Sequence, residues 1–172
     1  MEITKVYQNR RDGEEQAMSV AFVKEPNEDQ VEGLPERDLG TDPNFVTVRG
    51  LALLDEAIEV GQTRLEEAQF AGNKIAVAMI RRDLRYWRAR RSTAEVVIPR
   101  EDSDFVQFGH SVSIRRPNGQ IDVFRIVGID EADPGEGRIS YLSPMARQLV
   151  GREEGETIRA GAGNAEIIAI LC

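Results

Sequence analysis

Few residues in this chain have the chemistry for catalysis. Among 172 residues there is one histidine, His110, and one cysteine, Cys172. A lone histidine removes Ser-His-Asp and Cys-His catalysis unless His110 takes part, and a lone cysteine excludes an internal disulfide or a cysteine-rich metal cage. His110 follows Gly109 at a strand junction, with no acid beside it. A structural or exposed histidine is therefore expected. Asp130, Glu131 and Asp133 form an acidic cluster without partner ligands at metal-binding spacing, and they read as a loop carrying surface charge. Glu66 and Glu67 stand beside Arg64 and Lys74 on a helical segment, as a solvated face would. The cations are more concentrated. Arg81, Arg82, Arg85, Arg88, Arg90 and Arg91 crowd one stretch with only Asp83 to oppose them, and spacings of 4 and 3 put Arg81, Arg85 and Arg88 near one face. Such an arm can contact an acidic protein surface or RNA phosphate, or it can pair with Asp55, Glu56 and Glu59. Tyr86 and Trp87 suggest base stacking, but Trp87 falls on an apolar stripe and reads as core.

Composition narrows the classes. Hydrophobic residues make up 41% and charged residues 30%, values of a soluble globular protein. No stretch has the length of a membrane span, and Met1–Lys5 has no apolar signal core, so the expected address is the cytoplasm. The net charge of −8 argues against general duplex DNA binding. That average hides a division. Residues 1–45 carry 5 basic and 11 acidic side chains, residues 46–100 carry 10 and 7, and residues 101–172 carry 7 and 12.

Three segments follow. Residues 1–45, punctuated by Pro26, Gly33, Pro35, Gly40 and Pro43, show no sustained period and read as an unstructured acidic tail, with Met18 as an alternative start. Residues 46–98 read as two helices. Thr47 is a plausible N-cap, and Leu51, Leu54, Ile58, Leu65 and Ala68 form a coiled-coil-like stripe that Gly61 interrupts. Gly72 and Asn73 break it, and Ile75, Met79 or Ile80, Leu84, Trp87, Ala94 and Val97 continue on a second arm, making an antiparallel hairpin. Beyond Pro99, residues 99–172 turn to short runs rich in Val, Ile and Phe: 105–109, 111–116, 121–129, 138–142, 157–160 and 165–171. Pro117–Gln120 and Gly161–Asn164 mark turns, and Pro144 opens a short helix that ends at Gly151. The class is α+β: a helical hairpin followed by a small antiparallel sheet domain with one helix.

Within the last segment, Ile126-Val127-Gly128, Asp130-Glu131-Ala132-Asp133 and Ser143-Pro144-Met145-Ala146-Arg147-Gln148-Leu149 occur in that order, and Thr47-Val48-Arg49-Gly50 opens the hairpin. This resembles the Gre superfamily of transcript-cleavage and elongation factors, over about residues 46–171. The resemblance implies an FKBP-like fold for the sheet domain. It implies binding to bacterial RNA polymerase at the rim of the secondary channel through Ser143–Arg147, with nucleic acid met only indirectly in the transcription complex, no membrane, and the hairpin pointing down the channel. Leu142 departs from the polar residue often found before that serine. Prolyl isomerase activity does not come with the fold, because Phe105, Phe108, Phe124 and Tyr141 are expected largely in the core.

Cleavage-competent relatives carry Gly-Asp-Leu-x-Glu-Asn at the hairpin tip, two acids that help hold a catalytic metal ion and its water. The present tip is Gly72, Asn73 and Lys74, with Ala76 at the position of the second acid. Asparagine is a neutral oxygen ligand and alanine is none. The arms also look shorter than in cleavage factors, nearer to the Rnk-like members. The expectation is a non-enzymatic elongation regulator with no cofactor, bound to no metal of its own. The alternatives are a genuine cleavage-stimulating factor and an RNA-binding adaptor using the arginine-rich arm.

Overall fold

The computed structural model describes residues 34–172. Of the unstructured tail expected over residues 1–45, residues 1–33, with the alternative start at Met18, lie outside the described residues. Strand β1 (Phe45–Val46) leads into helix α1 (Val48–Phe70), and helix α2 (Lys74–Ser92) leads out into β2 (Glu95–Val96). Thr47 caps α1, its hydroxyl accepting from the Gly50 amide at 2.9 Å. Gly72, at φ 66°, turns the chain in the left-handed region that glycine tolerates. Asn73 then caps α2, its side-chain oxygen accepting from the Ala76 amide at 3.0 Å. The arms run antiparallel, with Arg91 on Asp55 at the base and Leu84 against Gly61 midway. Gly61 is no gap in the stripe. A Cβ there would lie 2.7 Å from a methyl of the buried Leu84, so the missing side chain is the recess that Leu84 fills.

The second arm is shorter than the stripe suggests. It ends at Ser92, and Ala94 and Val97 lie outside it. The chain extends instead to pair β2 with β1 in parallel, Phe45 opposite Glu95 and Val46 opposite Val96. Two further stripe positions, Ile75 and Met79, are about half exposed.

The remaining strands are β3 (Ser111–Arg115), β4 (Ile121–Val127), β5 (Arg138–Ser140), β6 (Thr157–Ala160) and β7 (Gly163–Leu171), in the order β5-β4-β3-β7-β6. Alternation along β3 turns Val112 and Ile114 inward. They meet Ile126, Ile158 and Ile167, and helix α3 (Pro144–Leu149) closes that core with Ala146 and Leu149, both fully buried. The sheet is mixed rather than antiparallel, because β5 runs parallel to β4. Residues 128–137 cross over through a short 3-10 turn, Pro134–Glu136, and bring Arg138 back opposite Arg125 of β4. Residues 105–109 form no strand beyond a single bridge from Phe105 to Glu153, and β7 begins two residues before Ala165.

Candidate functional site

The hairpin has a tip, two faces and a base. The base shows why the acidic loop exists. Asp130 and Glu131 were expected as surface charge, and both instead fasten the hairpin to the sheet domain. Asp130 accepts from the Tyr86 hydroxyl and from Arg90 Nε, each at 2.6 Å, and the Arg90 side chain is 3% exposed. Glu131, its side chain 2% exposed, accepts from Thr47 Oγ1 at 2.5 Å and Arg49 Nη1 at 3.1 Å. A Cβ on Gly50 would lie 2.8 Å from Glu131 Oε2, so the glycine admits the carboxylate to the start of α1. Arg90 therefore leaves the solvated group in which its sequence neighbours placed it. Burial, then the hydrogen bond to Asp130, pushes the Tyr86 phenol up to about 12. Only Asp133 of the acidic run is turned outward, where it pairs with Arg138.

Two close approaches complete the base. A Cβ on Gly128 would meet the Phe45 carbonyl oxygen at 2.6 Å, so the glycine after Ile126-Val127 lets β1 cross the end of β4. Phe45, Phe108 and Tyr141 form an aromatic cluster in which Phe108 stands edge-on to the other two rings, and the Tyr141 hydroxyl donates to the Pro43 carbonyl. Phe108 and Tyr141, with Phe124, pack against the core, while Phe105 is exposed. His110 is buried, with Nδ1 accepting from the Gln107 amide and Nε2 facing the Arg100 carbonyl, each at 3.3 Å. That is a structural histidine.

At the tip, Gly72, Asn73 and Lys74 are exposed, Phe70 is 97% exposed, and the Asn73 oxygen is engaged as a cap. Glu66 and Glu67 are exposed on the arm. Among the described residues, no three His, Cys, Asp or Glu side chains converge on a point that could hold a metal ion.

On the second arm the basic residues divide. Arg91 pairs with Asp55 as a hairpin base allows, and Arg82 pairs with its neighbour Asp83. Arg85 is taken by Glu36, whose carboxylate accepts from both Nε (2.9 Å) and Nη2 (2.5 Å). Arg81 and Arg88 are exposed and make no ion pair with a described residue. Residues 34–44 have no helix or strand, yet they are packed as a strap along this arm. Arg37 lies 3.7 Å from the Tyr86 ring centre and 4.7 Å from that of Trp87, the Leu39 carbonyl accepts from Arg90, and Asn44 is buried with its amide donating to the Arg90 carbonyl. The sequence concealed the strap because no period runs through it. Its one signal was a pair of ions, Glu36-Arg37, inside a segment otherwise poor in cations.

The Ser143–Arg147 segment is a short capped helix. The Ser143 hydroxyl accepts from the Ala146 amide at 3.1 Å, and Pro144 occupies the first turn, where its missing amide costs nothing. Ala146 is buried and Met145 half-buried, leaving Pro144, Arg147 and Gln148 on the surface.

Among the described residues no helix is long and apolar enough to cross a membrane. Residues 101–171 match the family model for the C-terminal domain of the transcription elongation factors GreA and GreB. Transcription elongation factor GreB of Neisseria meningitidis serogroup B is 37% identical over 97 residues, covering 55% of this chain and 60% of that protein. Transcription elongation factor GreA of Thioalkalivibrio sulfidiphilus is 34% identical over 129 residues, covering 71% of this chain and 81% of that protein. The chain thus spans about 60% of the length of the first of these curated relatives. The solved structure of a GreA/GreB elongation factor from Nitrosomonas europaea aligns with 77% of this chain and 100% of that one at 19% identity, with a TM-score of 0.38.

Proposed function

We propose that this chain, which belongs to the GreA/GreB family of transcription elongation factors, is a cytoplasmic regulator of bacterial RNA polymerase that occupies the secondary channel without stimulating transcript cleavage. In this reading residues 99–172 form an FKBP-like docking domain, and the exposed edge of α3, with Pro144 and Arg147, meets the channel rim. The hairpin of residues 46–98 enters as a coiled-coil probe. It acts by occupancy, excluding cleavage factors by mass action on one site. It is a regulator and not an enzyme.

One observation carries the reading: the tip turn offers a cation no carboxylate. Mg²⁺ prefers charged oxygen ligands, usually one or two carboxylates beside its own waters. Asn73 supplies a neutral oxygen already bound to the Ala76 amide, and the second position is Ala76 itself. A metal at the tip would have to break the cap of α2 to gain a weak ligand. The residues present do not fit the ion.

The test is transcript cleavage in purified backtracked polymerase complexes with Mg²⁺, with and without this protein, and with a cleavage-competent Gre factor as competitor. The reading expects no release of short 3′ RNA by this protein alone and dose-dependent inhibition of the competitor. Release by this protein alone would overturn it.

A further inference from the structure

The strap of residues 34–44 crosses the second arm in one direction. The Leu39 carbonyl accepts from Arg90, the Arg37 guanidinium lies over Tyr86, and Glu36 holds Arg85. Descending the sequence, these contacts climb the arm toward its tip. They also turn about its axis, because at about 100° per residue Tyr86 stands about 40° round the helix from Arg90, and Arg85 about 140°. The strap thus delivers the chain onto the face that carries Lys74, Arg81, Arg85 and Arg88, which fall within about 60° of one another. All four are exposed, and Arg81 and Arg88 make no ion pair with a described residue. Leu34, where the described residues begin, is half-buried. The nine residues before it, 25–33, hold Glu25, Glu28, Asp29 and Glu32 and no cation. Arg81 stands about 6 Å above Arg85 along the axis. An extended chain reaches about 13 Å from Glu36 back to Glu32 and about 23 Å back to Asp29, so both carboxylates can meet Arg81. We infer that Asp29 and Glu32 continue the strap up the arm and pair with Arg81, so that the acidic first segment of this chain is itself the occupant of the basic face. The division of charge along the chain, 11 acids against 5 cations in residues 1–45 and 10 cations against 7 acids in residues 46–100, is then an intramolecular pairing.

An acidic partner protein fits less well. It would meet the same cations, but Glu36 already holds Arg85 in their midst. A short tethered segment is also present at a roughly millimolar effective concentration, which a free partner rarely matches. Any anionic partner of this face must first displace residues 29–36, and the contact is therefore autoinhibitory. It forms within one chain and is independent of channel docking, so its test contains no polymerase.

The experiment is limited digestion of the full-length chain with a glutamate-specific protease, the cut after Glu28 being followed by mass spectrometry. Cleavage of this kind tracks the open population when opening is fast. Each rate at low salt is divided into that of the same variant at about 1 M salt, where the Debye length is about 3 Å and the contact is screened. The ratio is the protection, and it cancels any change in how the protease likes the cut site. Exposed ion pairs each favour the closed form by a factor of about 1.5 to 5, so the two contacts should protect the native chain about three- to tenfold. Arg81→Glu should abolish the protection. Arg81→Glu combined with Asp29→Lys and Glu32→Lys should restore it, because the reversed charges attract again. Arg88→Glu should retain it, since Arg88 lies a turn below Arg85, away from the direction in which the strap climbs. Arg81 makes no ion pair with a described residue, so these changes leave the described packing intact, which circular dichroism checks. A native chain without protection, an Arg88→Glu variant as unprotected as Arg81→Glu, or a reversed set that does not recover would each overturn the pairing. Protection that vanishes on dilution would overturn it too, by giving the contact to a second copy of the chain.

Discussion

Replacing Asp130 with alanine should be among the most damaging single changes outside the sheet core. The carboxylate holds two buried partners, the Tyr86 hydroxyl and Arg90 Nε, both at 2.6 Å. Removing it leaves a guanidinium that is 3% exposed without its counter-charge, and one of its nitrogens, Nη2, already lacks a partner. Breaking a buried pair from one side costs about 3–5 kcal/mol. An orphaned hydroxyl costs about 1–3 kcal/mol by itself, but the two losses share one site and do not add. We expect about 4 kcal/mol, a large part of the roughly 5–15 kcal/mol that a domain has. Urea denaturation followed by Trp87 emission measures it, since Trp87 neighbours Tyr86 on the arm that would loosen. Substituting both partners, Asp130→Leu with Arg90→Met, should recover at least about 2 kcal/mol of the summed single losses, because no buried charge is then left alone. A surface carboxylate would behave differently, shifting stability by no more than about 0.5 kcal/mol. A loss below about 1 kcal/mol for Asp130→Ala, or a double variant as damaged as the two singles together, would refute the clamp.

Three other outcomes follow from the same geometry. Gly128→Ala drives a methyl to 2.6 Å from the Phe45 carbonyl oxygen, and because backbone rather than a flexible side chain must yield, denaturation should show a loss of about 1–3 kcal/mol. The Tyr86 phenol holds its proton up to about 12 when folded against about 10 when unfolded. Between those values the unfolded chain binds fewer protons than the folded one, so stability should fall as pH rises from 10 to 12 and be unaffected by this group below 10. Tyr86→Phe should flatten that part of the profile. Arg147→Glu, on the exposed side of α3, should weaken competition with a cleavage factor while leaving thermal unfolding within about 0.5 kcal/mol of the parent.

Much of this architecture could be read from residue order because its determinants are local. Thr47 and Asn73 cap helices through amides three residues on, Gly72 turns where a left-handed residue is needed, and Val112 with Ile114 alternate along one strand. What stayed hidden was the pairing of distant groups. Nothing near Asp130 or Glu131 says that their partners wait at Tyr86, Arg90, Thr47 and Arg49, 40 to 84 residues earlier. A faint signal existed: Tyr86 and Arg90 stand four residues apart, so an aromatic and a cation share one helix face. The end of α2 was misjudged for a related reason. Ala94 and Val97 keep the helical stripe in phase, and only a partner strand at Phe45–Val46 draws them into extended pairing. Gly61 looked like a flaw because a stripe records which side chains are present, whereas packing also uses the room an absent one leaves.

The paired strands at the foot of the hairpin have an architectural consequence. Phe45–Val46 and Glu95–Val96 lie side by side, so the chain enters and leaves the arms through one stitched gate beside the clamp. Among the described residues, Thr47, Arg49, Tyr86 and Arg90 bind the arms to Asp130 and Glu131 of the sheet domain beside that gate. The arms are therefore a rod of adjustable length on a fixed mount. Adding seven residues to each arm midway would preserve the facing stripes and the aim of the rod while moving Gly72 outward by about 10 Å at helical rise. A lineage could retune how deep such a probe reaches without redesigning the domain that holds it.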